Sequence, residues 1–217
     1  MRKMFRFLFW VVLTTTVVIG LLRLTAIRWW RVPLDDKYLT ASISPSVRAG
    51  DLILLWRLTR PSYGDLVLCP EPGHPERVVI GRLIGEAGDE VSTKGAKITV
   101  NGRALPTESR CAEGTFTEQA PDGDGSEVEQ ACSLELVGGV LHMRGEVPPE
   151  HVTPPQDAAI ESVPEQHVYL LSDNRLFPYD SRDYGPVPRA SCQETVFFRL
   201  VSSRGYFDTE HRNQIIR

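Results

Sequence analysis

Residues 64–91 read GDLVLCPEPGHPERVVIGRLIGEAGDEV and contain the pattern that recurs through most of the chain. Two apolar runs rich in Val, Leu and Ile are separated by a segment of Gly, Pro and charged residues. Short runs of this kind between turn-forming residues are typical of β-strands. The stretch therefore predicts two neighbouring strands, Leu66–Cys69 and Val78–Gly85.

The same alternation on both sides of this stretch predicts a mainly β domain. Further strands are expected at Leu52–Leu58, Lys97–Val100, Leu134–Met143, His167–Leu171 and Thr195–Val201. Residues 94–97 are predicted to form a hairpin turn. The stretches 106–131 and 146–163 are rich in Pro and acidic residues and are interpreted as surface insertions.

The N-terminus contains an uncharged run, Phe7–Leu22, of 16 residues. As a helix it would be about 24 Å long, shorter than a hydrocarbon core of about 30 Å. Extension to Ile27, with Arg23 reaching back to the surface and Trp29 and Trp30 among the headgroups, gives the needed length. We therefore expect a single transmembrane anchor. The alternative is a cleaved signal peptide, but no small-x-small cleavage site follows the run.

Charge is distributed unevenly along the 217 residues. Six of the 24 basic residues and none of the 28 acidic residues lie in 1–31, so the remainder carries 18 basic against 28 acidic residues, a balance of −10. The net negative charge of the residues after 31 argues against nucleic-acid binding, which requires a basic surface. The expected location is the inner or plasma membrane, with the body on its outer side. Three basic residues beside the amino terminus favour a cytoplasmic N-terminus: Arg2, Lys3 and Arg6.

The four cysteines fit an oxidising compartment. Cys111 and Cys132 bracket a polar, acid-rich segment and are disulfide candidates. Cys69 and Cys192 lie in apolar runs and are expected to be buried thiols. Since no Cys or His spacing suits zinc, no metal site and no cofactor are expected.

Four short motifs follow the anchor in order. They are Thr40-Ala41-Ser42-Ile43-Ser44-Pro45 before Gly50-Asp51; Gly64-Asp65; Arg82 with Gly85 and Gly88-Asp89; and Asp173-Asn174-Arg175 with Asp180-Ser181-Arg182. By itself the first reads as a Ser/Thr-rich turn. Together they resemble the type I signal peptidases, membrane-anchored Ser/Lys endopeptidases, over about residues 5–200. The resemblance implies a domain of coiled antiparallel β-sheets in 32–204, with about 104–163 as a smaller lobe, an anchor in 1–31 and a tail in 205–217.

The resemblance also implies roles for individual residues. The family nucleophile corresponds to Ser42, three residues before Pro45, and the hydroxyl that completes the oxyanion hole corresponds to Thr40. A serine hydroxyl would attack the scissile carbonyl while fixed donors meet the developing oxyanion. Two carboxylate–guanidinium pairs are expected to hold the site together: Asp173 with Arg175, and Asp180 with Arg182.

The chain departs from the family at the general base. The family has a lysine before the arginine of the third motif, where this chain has Gly81, and a serine partner where this chain has Pro178. Loss of a positioned base slows a reaction by about 10²–10⁴. Four other residues could replace the lysine as general base, but the sequence favours none of them strongly. They are Lys37, Lys94, Lys97 and His74, of which His74 is the best candidate. His142 and His151 are expected at the surface.

Two functions remain open from the sequence. The first is a signal peptidase that removes signal peptides from exported proteins, with Ser42 as nucleophile and an unidentified base. The alternative is a pseudoenzyme that binds signal peptides or assists an active peptidase homologue. The expected partners are signal peptides, the lipid bilayer and, for the alternative, that homologue.

Overall fold

The computed structural model describes residues 2–94, 97–122, 125–148, 151 and 159–216. Three α-helices are present in these ranges: α1 (Arg2–Thr25), α2 (Lys37–Ile43) and α3 (Ser181–Tyr184), with a 3₁₀ turn at Arg189–Ser191. The strands are β1 (Ile27–Arg31), β2 (Leu52–Trp56), β3 (Leu66–Glu71), β4 (His74–Glu86), β5 (Glu90–Lys94), β6 (Lys97–Val100), β7 (Arg103–Ala104), β8 (Thr107–Gln119), β9 (Glu127–Val137), β10 (Val140–Gly145), β11 (Ala159–Ser162), β12 (His167–Leu171), β13 (Val187–Pro188), β14 (Glu194–Val201) and β15 (Gln214–Ile215).

The described strands form three antiparallel sheets. The large sheet has the order β1-β2-β14-β3-β4-β12-β13, with β15 paired to β14. The order in the second is β10-β9-β8 and in the third β11-β5-β6-β7. The mainly β, antiparallel architecture predicted from the sequence is therefore confirmed. The predicted hairpin at 94–97 pairs Lys94 with Lys97, but its two central residues lie outside the described residues.

Helix α1 has 24 residues and a mean hydropathy of 2.1, and it buries none of its side chains in the protein. At 1.5 Å per residue it is about 36 Å long, enough to cross a bilayer. It is the only helix in the described ranges with this length and composition. The run identified in the sequence is thus part of a longer helix. The expected extension to Ile27 is wrong, because the helix ends at Thr25 and Ile27 begins β1, which pairs with β2.

The prediction of one strand over Leu134–Met143 is wrong, because the chain reverses at Gly138-Gly139. These glycines have φ of +60° and +78° and join β9 to β10, with Val137 opposite Val140. A two-residue hairpin turn of this kind needs left-handed backbone, which glycine adopts readily. The backbone carbonyl of Tyr63 also approaches so closely that a side chain at 138 would collide with it.

The stretch 106–131, interpreted as a surface insertion, is largely exposed but contains strands that the sequence did not predict. Residues 107–119 form β8, which pairs with β9 as a long antiparallel hairpin. Most side chains of β8 are exposed, so the strand lacks the apolar signal on which strand prediction rests. In the structure Cys111 and Cys132 form a disulfide across this hairpin.

The expectation of free thiols at Cys69 and Cys192 is wrong as well, because the two form a second disulfide. Both side chains lie in a buried cluster with Val67, Val79 and Leu83. The apolar surroundings that suggested buried thiols are real. They do not distinguish a thiol from a disulfide, since the pairing depends on strand neighbours far apart in sequence.

The C-terminal tail, residues 205–217, packs on the large sheet through β15. Ile215 lies opposite Phe198 in the β14–β15 pair. Ile216 is buried against the main apolar core and donates its backbone N–H to the carbonyl of Phe197 at 2.9 Å. The boundary at 205 therefore separates no independent segment in this structure.

Candidate active site

The first motif lies at the end of helix α2. Asp36 caps this helix, since its side chain accepts a hydrogen bond from the backbone N–H of Leu39 at 3.0 Å. The helix continues to Ile43, so residues 40–43 are helical and the turn suggested by the sequence begins only at Ser44. The backbone carbonyl of Ser42 accepts from the N–H of Asn174 at 3.0 Å, which joins the first motif to the fourth.

The hydroxyls of Ser42 and Thr40 are both bonded within their own helix. Ser42 is fully buried, and its Oγ donates to the carbonyl oxygen of Leu39 at 2.9 Å. Thr40 Oγ1 donates to the carbonyl of Asp36 at 2.9 Å. Neither hydroxyl contacts a titratable side chain among the described residues. In this conformation both hydroxyls are bonded to carbonyl oxygens of their own helix.

The position of the family lysine is closed by the neighbouring strand. Gly81 lies in β4 opposite Val67. A Cβ built on Gly81 would be 2.9 Å from the Cβ of Leu170 in β12 and 3.5 Å from the backbone of Leu171. Real Cβ atoms do not come this close, so any side chain at 81 requires the two strands to move apart. The packing of β4 against β12 therefore leaves no room for a side chain at residue 81.

The other sequence candidates for a base lie elsewhere. Pro178, at the position of the family serine, is partly exposed in the loop before α3. His74 lies on the exposed β3–β4 hairpin, with Nδ1 3.5 Å from Glu76. Three lysines, Lys37, Lys94 and Lys97, are exposed. None of these groups contacts Ser42 within the ranges that the structure describes.

Strand β8 covers the first motif, a contact that the sequence did not indicate. The carboxylate of Glu118 accepts a short hydrogen bond from Ser44 Oγ, and Asp122, just beyond β8, accepts one from the hydroxyl of Tyr38. Ser44 is fully buried. Burial raises the pKa of Glu118, although Ser44 partly opposes this effect. The carboxylate of Glu118 therefore bonds to Ser44, two residues after Ser42 in the chain.

Asp173 of the fourth motif pairs with Arg82, whereas the sequence suggested Arg175. Arg82 donates Nε and Nη2 to the two oxygens of Asp173, both at 2.8 Å, and Nη1 to the carbonyl of Gly64 at 2.7 Å. Both side chains are buried. Burial alone would raise the pKa of Asp173, but the Arg82 guanidinium outweighs it and holds that pKa below its usual value. This pair ties the second, third and fourth motifs together.

Arg175 pairs instead with Glu135 of β9, a residue that the sequence reasoning missed. Glu135 also accepts from Arg144 at 3.1 Å. His142 of β10 lies among these charges, with Nε2 3.4 Å from Glu135 and 3.6 Å from Asp173. The smaller lobe thus contributes a buried carboxylate and a buried imidazole to the ionic cluster beneath the fourth motif.

The pairing predicted for Asp180 and Arg182 is present. The carboxylate of Asp180 accepts Nε and Nη2 of Arg182 at 2.8 and 2.6 Å and the backbone N–H of Ser172 at 2.8 Å. Burial would raise the pKa of Asp180, yet these bonds hold it below its usual value. Asp180 also caps α3, with Asp183 completing the capping box. The pair therefore fixes the loop that follows β12.

The expectation that His142 lies at the surface is wrong, because its side chain is 1% exposed. In β9 the polar residues Ser133 and Glu135 are buried while Leu134 and Leu136 are partly exposed. This is the reverse of the usual strand pattern. The polar face is buried because it packs on the fourth motif, and period-2 alternation could identify the two faces but not which one is covered.

The burial of His142 predicts a specific pH dependence of stability. Burial and the charge of Arg82 lower the pKa of His142, against the opposing effect of Asp173 and Glu135. Below about pH 6.5 the unfolded chain therefore binds a proton that the folded chain does not. We expect the free energy of unfolding to fall between pH 7 and pH 5, by at most about 1.4 kcal/mol per pH unit from this group.

Denaturation of the full-length protein in detergent at pH 7, 6 and 5 measures this effect. His142→Gln should flatten the dependence in that window, whereas the control His74→Gln, on an exposed hairpin, should leave it unchanged. The carboxylates with lowered pKa, Asp173 and Asp180, add a further loss only as the pH falls below about 4. Equal slopes for the wild type and His142→Gln would contradict the assignment.

Within the described ranges, no three His, Cys, Asp or Glu side chains are arranged to hold a metal ion. The site contains the buried hydroxyls of Ser42 and Ser44 and the carboxylate of Glu118, whose pKa is raised by burial. The ion pairs Arg82–Asp173 and Arg182–Asp180 lie in the same motifs.

Comparison with known proteins identifies the family. The sequence model described as "Signal peptidase, peptidase S26" matches residues 5–201. Signal peptidase I V of Bacillus subtilis is 27% identical over 158 residues, which cover 71% of this chain and 77% of that protein. A crystal structure of a signal peptidase I from Enterococcus faecalis aligns with 64% of this chain and 97% of its own, at 22% identity and a TM-score of 0.37.

The family model spans all four motifs quoted from the sequence, and its limits agree with those inferred from them. The resemblance is therefore confirmed: this chain belongs to the signal peptidase family, peptidase S26.

Proposed function

We propose that this protein is a membrane-anchored signal peptidase homologue that binds the signal peptides of exported proteins and does not cleave them by Ser/Lys chemistry. The observation that carries the proposal is the closed position at Gly81, where a Cβ would be 2.9 Å from that of Leu170. A family member that has lost the base and also the space for it has, among the described residues, no titratable side chain bonded to Ser42 Oγ.

The two ion pairs of the fourth motif support a function that depends on the geometry of the loops they hold. Both pairs, Arg82–Asp173 and Arg182–Asp180, are present, and both carboxylates are fully buried. A buried pair contributes little net stability compared with apolar residues of similar size. Its presence therefore favours a function that depends on the geometry of these loops, such as recognition of an extended peptide.

Two further features support an anchored protein with its body on the outer side of the membrane. Helix α1 is long and apolar enough to span a bilayer. The domain that follows α1 contains two disulfides, and disulfides form and persist in oxidising compartments. An active peptidase homologue in the same membrane would then be the partner that cuts the bound peptide.

The test uses the full-length protein in lipid nanodiscs with a fluorescent synthetic signal peptide that ends in a small-x-small sequence. Fluorescence anisotropy reports binding, and mass spectrometry reports cleavage. We expect saturable binding, and equal background cleavage by the wild type and Ser42→Ala. A peptide with large residues at the small positions is the specificity control. Absence of saturable binding, or cleavage that Ser42→Ala abolishes, would refute the proposal.

A second arm of this assay restores the family residue types with Gly81→Lys and Pro178→Ser. We expect no gain in cleavage, because the new Cβ overlaps Leu170, and overpacking of this kind destabilises by about 1–3 kcal/mol. Pro178→Ser alone is the matched control. Faster cleavage by the double variant, at unchanged stability, would mean that the site opens more easily than its packing indicates.

A second candidate function is favoured by one observation, the hydrogen bond from Ser44 to Glu118. A carboxylate whose pKa is raised by burial is a reasonable general base. The protein would then be a slow peptidase in which Ser44, and not Ser42, is the nucleophile and Glu118 accepts its proton. In the same assay, this candidate requires measurable cleavage that Glu118→Gln and Ser44→Ala each reduce by about 10²–10⁴. Equal cleavage by all variants would eliminate it.

A further inference from the structure

The loop 57–61 lies where the chain emerges from the expected membrane span. The backbone N–H of Arg57 donates to the carbonyl of Ala26 at 3.0 Å, and Ala26 donates to the last turn of α1 at 2.8 Å. Trp29 is 43% exposed beneath the guanidinium of Arg23, and Leu58 is 61% exposed. Trp and Arg at the end of an apolar helix are typical of the headgroup region. If α1 spans the bilayer, loop 57–61 is at its surface.

A cavity of about 500 Å³ opens beside this loop. One wall is the loop itself, and the other is formed by residues 189–193 at the start of β14. Its interior is largely apolar, with Leu83 and Val168 among the lining residues. Its cationic lining consists of Arg57, Arg60 and Arg189. An apolar interior with a cationic rim suits a ligand that carries one anionic group on an apolar body.

The positive charge at the rim is only partly neutralised. Arg57 shares one carboxylate, Glu194, with Arg28, at 2.9 and 2.7 Å. Arg189 pairs with Glu86 at 2.7 Å. Arg60 makes no ion pair with any residue that the structure describes. Of the three arginines that line the cavity, Arg57 and Arg189 are paired with carboxylates outside its lining, and Arg60 is free to bind. Guanidinium groups favour phosphate because their planar donors match two of its oxygens.

We infer that this cavity binds the phosphate headgroup of an anionic phospholipid such as phosphatidylglycerol. The cavity lies beside α1 and has an apolar interior. Both features favour a lipid over a soluble phosphate ester, because a soluble ester requires neither a membrane nor an apolar cavity. The inference rests on α1 spanning the membrane, and it is independent of whether the protein binds or cleaves signal peptides.

The test measures which lipids surround the full-length protein in mixed bilayers, by electron paramagnetic resonance with headgroup-matched spin-labelled lipids. The wild type should prefer labelled phosphatidylglycerol over phosphatidylcholine. A positive charge near the surface contributes about a fivefold preference, so Arg60→Gln should lower the preference about fivefold and Arg60→Gln with Arg189→Gln further. Arg110→Gln removes the same charge from the exposed face of β8 and should have no effect.

Three results would overturn the inference. They are an unchanged preference in Arg60→Gln, an equal loss in Arg110→Gln, and displacement of labelled phosphatidylglycerol by millimolar inorganic phosphate, which would make the occupant a soluble anion. Melting in pure phosphatidylcholine checks that the variants fold. If the double variant is destabilised, Arg60→Gln decides alone, because its side chain pairs with no described residue.

Discussion

Asp173→Asn is expected to lower the free energy of unfolding by about 3–5 kcal/mol. Asparagine has nearly the same shape as aspartate, so the variant keeps the packing. It removes the charge and replaces one of the two oxygens that accept from Arg82 with an NH₂ donor. Arg82, 1% exposed, would then remain buried without its anion. For a domain of this size the melting temperature should fall by about 6–20 °C. Denaturation of the full-length protein in detergent, followed by tryptophan fluorescence, measures the loss.

The matched control is Glu86→Gln, which breaks an ion pair of nearly the same length to Arg189, at 2.7 Å. Because that pair is exposed by 36% and 45%, its loss should cost about 0–1 kcal/mol. The double variant Arg82→Met, Asp173→Leu removes both charges and should recover much of the stability. If Asp173→Asn costs no more than Glu86→Gln, the fourth motif is not held by this pair.

Replacement of Cys69 and Cys192 by alanine is expected to destabilise the protein by about 5 kcal/mol. The disulfide closes a loop of 123 residues, and the entropy that a cross-link removes from the unfolded chain grows with loop length. Denaturation of the oxidised protein gives the loss. Mass spectrometry after alkylation confirms that the wild type has no free thiol.

The second disulfide is the internal control for this prediction. Cys111 and Cys132 are 21 residues apart, so their replacement by alanine should cost about 3 kcal/mol. The order of the two losses is the diagnostic result. A larger loss for the short loop would show that local packing in the β8–β9 hairpin, and not chain entropy, determines what the cross-links contribute.

Where the apolar runs were long and bounded by Gly and Pro, the sequence predicted the fold well. Lys97–Val100 and His167–Leu171 are strands with the predicted limits, and residues 66–69 and 78–85 lie within β3 and β4. The antiparallel hairpin β8–β9 was missed because its outer strand is exposed and polar. Burial of an apolar face is the signal that sequence patterns carry, and an exposed strand lacks it.

The candidate site was also only partly predictable from the sequence. Residue order alone was enough to identify the four motifs and to predict that Gly81 and Pro178 replace the family lysine and serine. It could not show that Leu170 closes the space at Gly81, since that contact joins two strands about 90 residues apart.

The sequence by itself determined the family, the apolar N-terminal segment and the mainly β architecture, because each depends on residue types at short spacing. Only the tertiary structure decided that Asp173 pairs with Arg82, that Glu135 and His142 are buried beneath the fourth motif, that Cys69 joins Cys192, and that Glu118 covers Ser44. These contacts join residues about 30 to 125 apart in sequence. Strand register and the packing of the smaller lobe bring them together, and no local pattern specifies either.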